Sequence, residues 1–139
     1  MSIVNHVGLC VTDLARSRRF YEDVFGFTRR DDLSVPDAAA SRLLRVAAPV
    51  GLTALYLERG GFVLELLRFA REGNDARRDR SFTEPGLTHL SFSVADVATT
   101  CATVAQRGGE VLADTDVGGR AIMVRDPDGQ LLELLPGRR

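Results

Sequence analysis

The most constraining feature of this 139-residue chain is that one pattern occurs in it twice. The run His6-Val7-Gly8-Leu9-Cys10-Val11-Thr12-Asp13-Leu14 is matched by His89-Leu90-Ser91-Phe92-Ser93-Val94-Ala95-Asp96-Val97. His, Val and Asp are each displaced by the same 83 positions, and Gly26 and Gly109 keep that displacement. Leu64-Glu65-Leu66-Leu67 returns as Leu132-Glu133-Leu134-Leu135, displaced by 68, so the second copy is 15 residues shorter in its middle. A repeated supersecondary unit restricts the chain to folds in which two like modules bury like surfaces.

Each copy reads as strand, helix, strand, strand, strand. From Ile3 to Val11 the residues alternate, with Val7, Leu9 and Val11 on one face and His6, Gly8 and Cys10 on the other, the period of a half-buried strand. Leu90, Phe92 and Val94 repeat this against His89, Ser91 and Ser93. In both copies a histidine therefore shares its face with small residues only, which suits the wall of a cavity. Asp13 and Asp96 are expected helix N-caps, followed by helical spacing at Leu14, Arg18, Tyr21 and Phe25 and at Val97, Cys101, Val104 and Ala105, with Gly26 and Gly108-Gly109 as stops. The expected later strands are Phe27–Asp31, Leu52–Glu58 and Phe62–Phe69, then Glu110–Ala113, Ala121–Arg125 and Gln130–Leu135. Arg59-Gly60-Gly61 and Asp126-Pro127-Asp128-Gly129 serve as turns. The extra residues of the first copy lie between Asp32 and Gly51, where Ser34 or Asp37 caps a short helix over Ala38–Val46.

The expected organisation is a single α+β domain over 1–139: module 1 at 1–69, a connector at 70–85 and module 2 at 86–139, giving two βαβββ modules. A hydrophobic fraction of 45% supplies a core of that size without disulfide staples. Two cysteines, Cys10 and Cys101, form no Cys-x-x-Cys pair and read as small buried hydrophobes of a reducing compartment. With no long apolar run and no charged leader, the expected location is the cytoplasm, without membrane contact. A net charge of −1 offers no footprint for nucleic acid. All 18 basic residues are arginine; the absence of lysine excludes Schiff-base chemistry and Gly-Lys-Ser phosphate loops.

The chemistry therefore falls to four residues. His6 and His89 occupy equivalent first strands, Glu65 and Glu133 equivalent last strands, and each glutamate is flanked by leucines. A carboxylate in such a run needs a partner. One glutamate alone pairs adequately with an arginine such as Arg45 or Arg125; the recurrence of both residue types in both copies favours a metal. Two imidazoles and two carboxylates suit one divalent ion of the zinc, nickel, cobalt, manganese or iron kind. Only two histidines exist, so a Ser-His-Asp arrangement would have to use one of them.

The segment Arg19-Phe20-Tyr21-Glu22-Asp23-Val24-Phe25-Gly26-Phe27, together with Thr88-His89-Leu90, Asp126-Pro127-Asp128-Gly129 and Leu132-Glu133-Leu134, resembles the vicinal oxygen chelate superfamily, which includes glyoxalases, methylmalonyl-CoA epimerases, extradiol dioxygenases and the fosfomycin and bleomycin resistance proteins. The resemblance covers nearly the whole chain. It implies a curved, barrel-like mixed sheet around a central metal, with helices outside and His6, Glu65, His89 and Glu133 as ligands. Four protein ligands leave about two open positions, which suits a substrate's two neighbouring oxygens and an enediolate or enolate intermediate better than dioxygen chemistry. The expected activity is thus a glyoxalase- or epimerase-like isomerase or lyase acting on a small molecule by proton abstraction next to a carbonyl. Glu133 is the first choice as base and Glu65 the second. The alternatives are an extradiol ring-cleaving dioxygenase and a non-catalytic, ligand-sequestering resistance protein.

Two further expectations concern partners. Phe20, Phe25, Phe27, Phe62 and Phe69 give the first copy a surplus of large apolar side chains, pointing to a homodimer. The insert Ser34–Val50 places Leu43, Leu44 and Val46 among Arg42 and Arg45, reading as a helix with an apolar face toward the cavity and arginines for an anionic substrate.

Overall fold

The computed structural model describes residues 1–70 and 79–137. The chain divides into two compact units, Met1–Asp75 and Ala76–Arg139; much of the expected connector lies outside the described residues.

The two units share one topology. In the first, β1 (Val7–Cys10), α1 (Leu14–Phe25), β2 (Thr28–Leu33), α2 (Asp37–Leu44), β3 (Leu52–Arg59) and β4 (Phe62–Phe69) give the sheet order β1-β4-β3-β2. The second contains β5 (Leu90–Val94), α3 (Val97–Gln106), β6 (Glu110–Leu112), β7 (Ile122–Arg125) and β8 (Leu131–Pro136), in the order β5-β8-β7-β6. First and last strands pair in parallel, the others antiparallel. The α+β class and the βαβββ modules are as expected. The strands form two curved four-stranded sheets, neither of them closed. Among the described residues, no helix is long and apolar enough to cross a membrane.

Alternation decides which face each strand buries. In β4, Leu64 and Leu66 lie on the face that packs against α1 and are fully buried, each burial being worth roughly 1.5–3 kcal/mol. From α1, Ser17, Phe20, Tyr21 and Phe25 are buried, the spacing of a single helical stripe. Asp13 caps this helix, its Oδ1 accepting from the Arg16 amide at 2.9 Å, and Asp96 does the same for α3, accepting from Thr99 at 2.6 Å. Gly26 closes α1 in the left-handed region, φ 70°, where glycine alone carries no Cβ penalty. At the β3–β4 hairpin Gly60 and Gly61 have φ 56° and 81°, the two positive values that a type I′ turn requires.

Several expected boundaries move. The first strand begins only at Val7, where its ladder with Leu64 starts, leaving Ile3 and Val4 exposed. Strand β2 extends to Leu33 through a register shift between Arg29 and Asp31. Strand β6 stops at Leu112 because Ala113–Thr115 forms a 3-10 turn, in which Thr115 Oγ1 donates to the Leu112 carbonyl and accepts from Met123 N. The inserted helix exists but is not capped by Ser34 or Asp37, since Pro36 occupies the N-cap position. Instead Asp37 Oδ1 accepts from the amides of Val50 and Gly51, at 2.8 and 3.0 Å. Its expected apolar face is also corrected: Ala40 is its buried residue, whereas Leu43 is 78% and Leu44 38% exposed. Phe20, Phe25 and Phe27 are core residues and mark no interface. Cys10 is exposed and Cys101 half-buried, so neither is the buried hydrophobe expected.

Candidate metal centre

The parallel ladder brings the candidate residues together within each unit. Gly8 pairs with Glu65 across β1 and β4, and Ser91 pairs with Glu133 across β5 and β8. The small-residue faces inferred from the sequence therefore meet the glutamates at the same register position in both copies. His6 and His89 each lie two residues before that position and point to the same side. His6 Nε2 is 3.2 Å from Glu65 Oε2, and His89 Nε2 is 3.6 Å from Glu133 Oε2.

The hydrogen bonds of the other imidazole nitrogens fit ligand use. His6 Nδ1 is 2.6 Å from Asn5 Oδ1. An amide oxygen accepts only, so Nδ1 carries a proton, and Nε2 is the ring atom that faces the carboxylate. A lone pair and a carboxylate oxygen at 3.2 Å repel unless a proton or a cation joins them. His89 Nδ1 makes the equivalent contact with Thr88 Oγ1 at 2.9 Å.

The half-sites differ in burial. The Glu65 side chain is 9% exposed and that of Glu133 28%. Tyr56, directly across from Glu65 in the β3–β4 ladder, packs against the His6 ring at 5.4 Å between centroids. Burial, and then the Glu65 charge, push the Tyr56 phenol above its ordinary value, so it remains a donor at neutral pH. Opposite Glu133 stands Met123, and the hydroxyl comes instead from Ser91, whose Oγ donates to Glu133 Oε2 at 2.6 Å. Phe82 lies 5.5 Å from the His89 ring.

The four predicted ligands are thus brought together as two pairs; among the described residues no single cluster of three or more His, Cys, Asp or Glu side chains stands ready for an ion. Arg125 does not serve a glutamate of the site but is held by Asp79 and Glu110, each at 3.0 Å. Arg42 is exposed on α2, and Arg45 is exposed at its left-handed C-terminal residue, φ 56°. Sequence reasoning missed Tyr56, although a polar aromatic within the apolar run Leu55–Leu57 was a usable signal, and passed over Ser91 as merely small.

The chain matches the Glyoxalase/Bleomycin resistance protein/Dioxygenase superfamily over residues 3–134. It belongs to that superfamily. Its sequence is 31% identical over 134 residues to the uncharacterized protein YaeR of Escherichia coli strain K12, covering 94% of this chain and 93% of that one. Among solved structures, the trypanothione-dependent glyoxalase I of Leishmania major superposes with a TM-score of 0.69 at 25% identity, over 94% of this chain and 84% of that one. The fosfomycin resistance protein FosX of Listeria monocytogenes, in complex with Mn(II) and a sulfate ion, superposes at 0.65 with 18% identity, over 99% and 94%; at that identity the likeness is one of fold.

Proposed function

We propose that the protein is a divalent-metal-dependent isomerase or lyase of the glyoxalase or epimerase kind, acting on a small molecule, with His6, Glu65, His89 and Glu133 as the metal ligands. The observation that carries this reading is the facing of His6 Nε2 and Glu65 Oε2, an imidazole nitrogen and a carboxylate oxygen of the kinds that ligate divalent ions, repeated by His89 and Glu133 at the equivalent place. Two nitrogens and two oxygens suit zinc, nickel, cobalt, manganese or iron. The two half-sites contribute either from one chain or from two copies of it. Support for metal use in this fold comes from FosX, captured with Mn(II), and support for the reaction class from glyoxalase I.

When bound, such an ion supplies Lewis-acid stabilisation of charge developing on two neighbouring substrate oxygens. The chain's own residues supply the proton transfer. Glu133, the more exposed of the two carboxylates, takes the proton from the carbon next to the carbonyl and returns it to the adjacent carbon of a hemithioacetal. Glu65, enclosed by β1 and β3, stays in place as a ligand. Arg42 and Arg45, on the insert, are proposed to meet an anionic group of the substrate.

The test is metal analysis of the purified protein combined with turnover of hemithioacetals and 2-substituted malonyl thioesters. We expect stoichiometric metal and turnover of one class, with Glu133→Gln reducing kcat by at least about 10²-fold. Metal-free protein after loading overturns the site. Loaded protein that binds the panel without turnover points instead to a sequestering protein.

A further inference from the structure

Each candidate ligand glutamate has two cross-strand neighbours, and in each unit a hydroxyl stands at only one of them, on opposite sides. Glu65 lies between Gly8 of β1 and Tyr56 of β3, whose ring also packs on that of His6, and the hydroxyl-bearing side chain is the one on β3. Glu133 lies between Ser91 of β5 and Met123 of β7, and the hydroxyl comes from β5. The repeat thus keeps a hydroxyl-bearing neighbour beside each glutamate while exchanging the strand that carries it. In the first unit a Cβ on Gly8 would lie 3.2 Å from Leu67 Cδ1, so a serine there would require the leucine side chain to give by a few tenths of an ångström.

We propose that Tyr56 and Ser91 are the positioning residues of the metal site, fixing the Glu65 and Glu133 carboxylates in the orientations that ligate; this rests on the metal reading above. A carboxylate tethered through one donor presents its remaining lone pairs in a fixed direction, and such outer partners typically contribute 10–100-fold in metal affinity. The two contributions are unequal. Tyr56 serves a carboxylate whose side chain is 9% exposed, so its loss leaves a nearly buried group without that donor. Ser91 serves one that is 28% exposed, where water replaces a lost hydroxyl at small cost.

The proposal is tested by titrating metal-free protein with Mn(II) and following free Mn(II) by electron paramagnetic resonance, with folding checked by circular dichroism. Tyr56→Phe is expected to raise the Kd by about 10–100-fold and Ser91→Ala by less than about 10-fold, both with melting profiles close to that of the parent. A folded Tyr56→Phe variant with parental affinity, in a protein where His6→Ala releases the ion, overturns the proposal and leaves the metal reading standing. Parent protein that takes up no Mn(II), Zn(II), Ni(II) or Co(II) overturns both together. Should Tyr56→Phe fail to fold, Met123→Tyr in the Ser91→Ala background decides. It restores a hydroxyl across from Glu133 by the route the first unit uses, so recovered Mn(II) affinity supports the proposal and no recovery overturns it.

Discussion

The His6 imidazole, on the residue just before β1, and the Glu65 carboxylate of β4 approach to 3.2 Å. The parallel ladder sets the distance, because it puts Gly8 across from Glu65 and so leaves the space above β1 to the preceding histidine. His6→Ala is therefore expected to lower metal affinity by at least about 10-fold while leaving the fold intact. Plasma emission analysis of dialysed protein, read beside a melting curve, checks both halves of the statement.

Adjacent residues of β4 should give opposite results. Leu66 faces α1 with no exposed surface, while Glu65 faces the other way. Leu66→Ala is expected to cost about 2–5 kcal/mol of stability. Glu65→Gln keeps the shape and a hydrogen-bonding oxygen, so metal affinity falls with little loss of stability. Denaturant unfolding of both variants in the metal-free state makes the comparison; equal destabilisation would contradict the facing of the strand.

The helix caps predict a pH dependence. The backbone amide of Arg16 holds the Asp13 carboxyl below its ordinary value of 3.8, and that of Thr99 does the same for Asp96. Because the folded values are the lower ones, the stabilisation is fully present above 3.8 and is lost as the pH falls from there through the depressed values. Asn retains a capping oxygen without a titrating proton. The Asp13→Asn, Asp96→Asn double variant should then lose less melting temperature than the parent between pH 5 and pH 2.5, read by calorimetry at both.

For the insert, kinetics separate two roles. If Arg42 and Arg45 meet an anionic substrate, their replacement by alanine raises KM for that substrate about 10-fold or more with kcat little changed. Unchanged kinetics with altered melting would make α2 a cover and nothing else.

A homodimer is expected, its contacts drawn from apolar side chains left exposed in this chain, such as Leu43 and Phe62. Sedimentation equilibrium at micromolar concentration should give twice the 15.2 kDa chain mass; a mass near one chain removes the idea.

The duplicated strand order was legible because register and burial act through alternation: Gly8 and Ser91 are small where Glu65 and Glu133 need room, and the offset of the repeat carries one pair onto the other. The pairing of each histidine with its own glutamate was not legible, because the repeat offers the four residues as one set and only the strand register divides them into pairs. Tyr56 was not legible as a partner of Glu65 because its place depends on the β3–β4 register, which the hairpin at Gly60-Gly61 sets and no repeat reveals. The insert misled for a related reason. Leu43 and Leu44 have helical spacing appropriate to a buried stripe, yet the helix ends at Leu44 and its anchorage comes from a carboxylate, Asp37, whose partners are backbone amides that no side-chain pattern announces.

That anchorage has an evolutionary consequence. By gripping Val50 and Gly51, Asp37 joins the start of the inserted helix to the end of the insert, so the loop's closure is settled within the insert and asks nothing of the sheet beneath it. With Ala40 kept small and buried, residues 38–49 are in effect a cassette: the rest of their chemistry is free to drift, or to be exchanged for that of a relative, while the duplicated scaffold and its histidine–glutamate pairs carry on unchanged.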